Sequence, residues 1–177
     1  MPSAKSKLNP DLPYQDITYR IIGCAMRVHN RLGPGLRERM YQRALTAEMR
    51  ADGLEVDEEF RVDVYDGEVW IGVTFPDHWV EQKVVVEVEA FSHFLTKQEV
   101  AQTIGFLAAL DAPVGLLINF GRKRLDYQRI LPPADLQNWK KNITRFLWRP
   151  PGQAPPQRAR DKELPTEEEL PTDEENG

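Results

Sequence analysis

The sequence predicts an α/β domain in which a mixed β-sheet is flanked by helices. Three observations carry this expectation. Two stretches of helical periodicity precede a strand-rich middle, a capping box opens a further helix, and residues 114–120 form an apolar run. Such a run is the pattern of a strand covered on both faces. The 177 residues, 41% of them hydrophobic, fit one core and leave little room for a second.

Each element follows from its own signal. Ile17, Ile21, Cys24, Val28 and Leu32 recur at helical spacing, with Asp16 placed to cap the start and Gly33-Pro34 to stop it. A second helix is expected over 36–51, burying Leu36, Met40, Ala44 and Ala47 and ending at Gly53. Strands are expected over 54–65, 69–80 and 83–89, with Asp66-Gly67 as the turn between the first two. Thr96 and Glu99 form the T-x-x-E capping box, opening a helix to about Leu110. After the apolar run come a short strand near 128–131 and a last amphipathic helix marked by Leu136, Trp139, Ile143 and Phe146. Beyond Arg149 the chain is rich in Pro and Glu and nearly free of large apolar groups, so it cannot offset its ordering entropy. The expected division is a flexible N-terminus over 1–14, a domain over 15–149 and a disordered acidic tail over 150–177.

The formal charge of −5 comes from that tail. Residues 150–177 hold eight acids against three bases, which leaves 20 of each sign in the body. A neutral body neither supports nor excludes a phosphate ligand. One cysteine, Cys24, excludes an intramolecular disulfide and reads as a buried structural thiol. Residues 1–10 hold no apolar stretch of the signal-peptide kind, and no apolar run approaches the ~20 residues that cross a bilayer. A cytoplasmic protein with no membrane partner is the expectation.

The chemistry concentrates on 83–89. Side chains alternate along a strand, so Glu87 and Glu89 share one face and Val84, Val86 and Val88 the other. An exposed edge strand would tolerate two such acids, but the valines argue for an interior strand. Asp77 lies on the preceding strand. With a two-residue turn at Glu81-Gln82 it pairs with Val86 and faces away from Glu87. A three-residue turn or a bulge puts it opposite Glu87, with Cβ atoms ~5 Å apart. Three carboxylates gathered so would suit an oxygen-preferring cation such as Mg²⁺. The three histidines lack zinc-site spacing: His29 ends a helix, and His78 and His93 merely flank the acids. Arg122, Lys123 and Arg124 follow the apolar run and suit a phosphate backbone.

Residues 29–41, reading HNRLGPGLRERMY, resemble the signature of the GxxExxY family, with its naming residues on Gly35, Glu38 and Tyr41. Residues 115–121, GLLINFG, resemble the same family's late strand, and the similarity spans roughly 17–131. The resemblance implies a PD-(D/E)XK restriction-endonuclease-like core that hydrolyses phosphodiesters of DNA or RNA with Mg²⁺ or Mn²⁺. Carried onto this chain, the motif aspartate falls on Asp77, the motif acid on Glu87 and the helical acid on Glu38, these three being the implied metal ligands. A glutamine of exonuclease-like branches falls on Gln102, and the tyrosine that often follows it is replaced by Phe106.

The departure is at the motif lysine, since acid-x-Lys reads Glu87-Val88-Glu89 here. That lysine helps to orient the attacking water and offsets phosphate charge. At ~5 Å and an effective dielectric of ~20, each charge unit is worth roughly 3 kcal/mol. Two units amount to about 6 kcal/mol, some four orders of magnitude in rate. Lys83 shares the face of Glu87 but lies ~13 Å back along the strand. Lys97, in the first turn of the next helix, is the better substitute, because some enzymes of this superfamily move the lysine to another element. Asp77, Glu87, Glu89, Glu38, Gln102 and Lys97 are therefore the expected catalytic set. The alternative expectation is a catalytically inactive nuclease fold that binds nucleic acid or a protein partner.

Overall fold

The computed structural model describes residues 12–66 and 68–133. The expected last helix at Leu136 to Phe146, the tail over 150–177 and most of the N-terminal segment lie outside the described residues. Within them, helices α1 (Gln15–Leu32) and α2 (Glu38–Ala51) precede strands β1 (Val56–Glu58), β2 (Val62–Asp66), β3 (Val69–Thr74), β4 (His78–Val80) and β5 (Val84–Glu89). Helix α3 (Lys97–Leu110) and strands β6 (Val114–Asn119) and β7 (Asp126–Ile130) follow. The main sheet has the order β1-β4-β5-β6-β7, with β2 and β3 paired separately as a hairpin. Only β5 and β6 run parallel; the other neighbours are antiparallel. The fold is the expected mixed sheet flanked by helices.

The sheet is packed on both faces. Val84, Val86, Val88, Leu116 and Ile118 meet α1 and α2 through Ile21, Val28 and Leu45. Val85, Leu117 and Trp79 meet α3 through Phe106, Leu107 and Leu110. Every residue of β6 is buried, as its apolar run predicts. The valine-rich β5 is central, which overturns the exposed-edge reading of Glu87 and Glu89. Thr96 Oγ1 accepts from Gln98 N and Glu99 Oε2 accepts from Thr96 N, the reciprocal capping box expected for α3. Gly33 (φ 64°) stops α1 by donating its N–H to His29 O at 2.8 Å.

Three expectations are corrected. Helix α1 starts from Tyr14 in the left-handed region with no side-chain cap, and Asp16 sits inside the first turn, where its charge suits the helix dipole. Helix α2 buries Tyr41, Leu45 and Met49; of the residues expected inward, Leu36 and Ala44 are partly buried against the core, while Met40 is 52% exposed and Ala47 is exposed. Both stripes have helical spacing, but the inward one carries more apolar area, and Tyr41 stacks on Phe120 with ring centroids 4.9 Å apart. The two long strands expected over 54–65 and 69–80 each break in two. The first breaks near Glu59 (φ 51°) and the second at Phe75-Pro76-Asp77, where Pro76 lacks an N–H for the ladder. The broken halves release the hairpin from the sheet and bring β1 against β4.

Candidate active site

The connection between β4 and β5 decides which side chains meet. Val80 pairs with Val84 and His78 with Val86, so three residues, Glu81, Gln82 and Lys83, form the turn. Glu81 and Gln82 both have positive φ (52° and 51°), and Lys83 N donates to Val80 O at 3.0 Å. Carried one residue outward, this register sets Asp77 level with Glu87 on the α3 side of the sheet. Asp77 and Glu87 are laced together there. Asp77 N donates to Glu87 Oε1 at 3.0 Å, and Val88 N donates to Asp77 Oδ2 at 2.7 Å. Glu87 is 6% exposed, an acid buried on the central strand.

The acids raise one another's affinity for protons. Burial, with Glu38, Glu59 and Glu58 adding to it, lifts Asp77 to about 6 against the pull of its Val88 hydrogen bond. Burial and then Asp77 push Glu87 well above the ordinary carboxylate range. Burial, followed by the charge of Glu38 and a side-chain hydrogen bond with it, lifts Glu89 to about 8. Desolvation thus leads in all three, and mutual repulsion adds to it. Neighbouring acids raise each carboxyl further: Glu38, Glu59 and Glu58 at Asp77, Asp77 and Glu89 at Glu87, and Glu38 and Asp77 at Glu89. Glu38 opens α2 with its side chain exposed.

Lys97 and Gln102 are exposed on α3, and Lys83 is exposed in the turn. None of them figures among the neighbouring groups that act on the three carboxyls, which are acids and backbone amides. Tyr41 is a core residue: its hydroxyl donates to Gly33 O at 2.5 Å and accepts from Leu36 N at 3.1 Å, closing the loop between α1 and α2. His29 is buried and donates from Nε2 to Arg122 O at 2.8 Å. His78 faces α2, its Nε2 lying 2.8 Å from Thr46 Oγ1 and 3.2 Å from Gln42 O, and burial lowers it to about 4. Cys24 is buried, as expected, and burial raises its thiol.

Asn119 is the residue that sequence reasoning passed over. It is fully buried at the end of β6, in register with Glu89. Its Oδ1 accepts from Phe91 N (2.9 Å) and Gly121 N (3.0 Å), and its Nδ2 donates to His93 O at 2.9 Å. One amide therefore fixes the loop leaving the acid strand. The signal was a lone amide inside an apolar run, where an unsatisfied polar group would be costly. Gly121 lets this loop approach, since a Cβ there would lie 2.4 Å from the Ala90 carbonyl carbon.

Among the described residues no group of three or more His, Cys, Asp or Glu side chains is arranged to hold a metal ion. The donor chemistry fits a cation held by fewer protein ligands. Asp77 and Glu87 offer hard oxygens, one oxygen of each is oriented by a backbone N–H, and Mg²⁺ commonly binds one or two carboxylates while keeping waters.

A family model of the PD-(D/E)XK nuclease superfamily matches residues 15–130, and the chain belongs to that superfamily. Among solved structures, the one titled "Crystal structure of SSO0001" is similar at 14% identity and a TM-score of 0.46, covering 56% of this chain and 52% of the other. The match thus spans about half of that chain. No curated protein matches. No helix among the described residues is long and apolar enough to cross a membrane.

Proposed function

We propose that this domain is a metal-dependent nuclease of the GxxExxY type that hydrolyses phosphodiesters of DNA or RNA. The observation that supports it best is the interlaced Asp77–Glu87 pair on the central strand, within a nuclease-superfamily frame. Asp77 and Glu87 would hold Mg²⁺ or Mn²⁺, with Glu38 supplying further negative charge. The ion, when bound, would polarise the scissile phosphate and lower the pKa of the attacking water. The chain's own part is electrostatic. Burial makes the carboxylates costly to ionise alone, so a cation entering the site would displace their protons and bind more tightly as pH rises. The backbone bonds to Asp77 Oδ2 and Glu87 Oε1 hold both groups in place before a ligand arrives.

Hydrolysis of end-labelled single- and double-stranded DNA and RNA in Mg²⁺, Mn²⁺ or EDTA tests this reading. Cleavage by the wild type that is lost in EDTA and in Asp77→Asn and Glu87→Gln supports it. Cleavage untouched by either substitution rejects it. One observation favours a second reading. Glu89, at the position of the motif lysine, is raised by another acid, Glu38, rather than neutralised by a cation. A catalytically inactive module that binds nucleic acid or a protein partner would show metal binding by calorimetry with no cleavage of any of the four substrates.

A further inference from the structure

The loop after the acid strand holds an aromatic ring out to solvent. Phe94 is 67% exposed although the Arg122 guanidinium lies over its ring, with Cζ 3.1 Å from the centroid. One ring face is thus covered by a cation and the rest is open. Beside it runs a cleft of about 360 Å³ lined by Phe94, Arg122, Lys123, Arg124, Leu125 and Asp126. An open aromatic face next to three consecutive cations is complementary to a base and its phosphates.

The walls of this cleft are fixed without a ligand. Asp126 Oδ2 accepts from Leu95 N at 3.4 Å and pairs with Arg122 Nη1 at 3.8 Å. The Arg122 carbonyl is held by His29, and Asn119 holds the backbone at Phe91 and His93. Phe91 and His93 stack with centroids 4.7 Å apart, an aromatic pair on the same loop. The cleft and the acids also share one end of the sheet, because Asn119 pairs with Glu89 on one side and with Asp126 on the other.

Bases in a duplex are stacked on their neighbours and present only edges and backbone to a protein, whereas an unpaired strand presents open π faces. We infer that this cleft binds single-stranded nucleic acid, one unpaired base stacking on Phe94 while adjacent phosphates lie against Arg122, Lys123 and Arg124. The inference rests on the nuclease reading only in taking nucleic acid as the ligand, and it specifies the strand state that the site selects.

The test is fluorescence anisotropy on the full chain in EDTA, with a labelled 12-nucleotide strand alone and annealed to its complement. The wild type should bind the single strand at least tenfold more tightly. Phe94→Ala should weaken single-strand binding about tenfold and leave duplex binding unchanged, and Phe94→Trp should restore it. Arg124→Ala should weaken both and shallow the salt dependence by about one ion. Equal losses on both substrates for Phe94→Ala, or wild-type affinity for the single strand, would overturn the inference. Because no cleavage enters this measurement, its outcome is separate from that of the nuclease reading. Selective loss at Phe94 in a protein that never cleaves would keep the strand-binding cleft and reject the nuclease.

Discussion

Replacing Glu89 by lysine restores the superfamily's acid-x-Lys order, and the structure sets the size of the effect. Counting Glu89 as a full negative charge makes the change two units and about 6 kcal/mol. But burial and Glu38 lift Glu89 to about 8, so near pH 7 in the ion-free protein it is mostly neutral. The substitution then adds one positive charge rather than reversing a negative one. At the ~6 Å spacing of alternate strand residues and an effective dielectric of ~20, one unit is worth about 3 kcal/mol. Solvent screening at half-buried Glu89 brings this to about 2 kcal/mol, roughly thirtyfold in rate. Glu89→Lys should therefore raise phosphodiester cleavage about thirtyfold at pH 7 and weaken Mg²⁺ binding. Single-turnover cleavage of the preferred oligonucleotide, with metal titration by calorimetry, measures both. A wild type that cleaves efficiently and is slowed by Glu89→Lys would refute the reasoning, and Lys97 would be the next residue to replace.

Three further outcomes are expected. The folded metal-free protein holds a proton on Glu89 that the unfolded chain releases, so this group should lower stability by about 1–2 kcal/mol between pH 6.5 and 8. The window starts above the range in which neutral, buried His78 gives the opposite slope, and urea melts of wild type and Glu89→Gln, which should be flatter, check it. Tyr41→Phe removes both hydroxyl hydrogen bonds across the α1–α2 loop and should cost about 1–2 kcal/mol in thermal melts. Cleavage per folded molecule should stay unchanged, and a selective loss of activity would make Tyr41 a site residue. Gly121→Ala drives a methyl into the Ala90 backbone and should cost about 2–3 kcal/mol, so a wild-type melting temperature would contradict the close approach.

The legible parts of this chain were those whose signal is local. Thr96 and Glu99 specify a cap within one helical turn, and the run at 114–120 needs only its own composition to read as a strand covered twice. The face of α2 was not legible, because Met40 and Leu45 both fit the helical period and only the Phe120 ring beneath Tyr41 separates the two stripes. The breaks at Glu59 and Pro76 depend on β1 meeting β4, a pairing of segments some twenty residues apart. Alternation put Glu87 and Glu89 on one face from sequence. Whether Asp77 joined them hung on one residue of turn length, which nothing in Glu81-Gln82-Lys83 decides by composition. Asn119 was hidden for a different reason: its partners are backbone groups, and backbone leaves no trace in a sequence pattern.

That short connection behaves as a parity bit for the whole domain. Strand side chains repeat every two residues, so losing one residue between Val80 and Val84 would rotate Asp77 to the opposite side of the sheet while every carboxylate stayed in the chain. Two proteins with the same acids in the same order, differing by one residue there, would be read alike by a motif and would present different surfaces to a ligand. A relative that keeps Asp77 and Glu87 in sequence therefore inherits their encounter only if it also inherits the length of this turn.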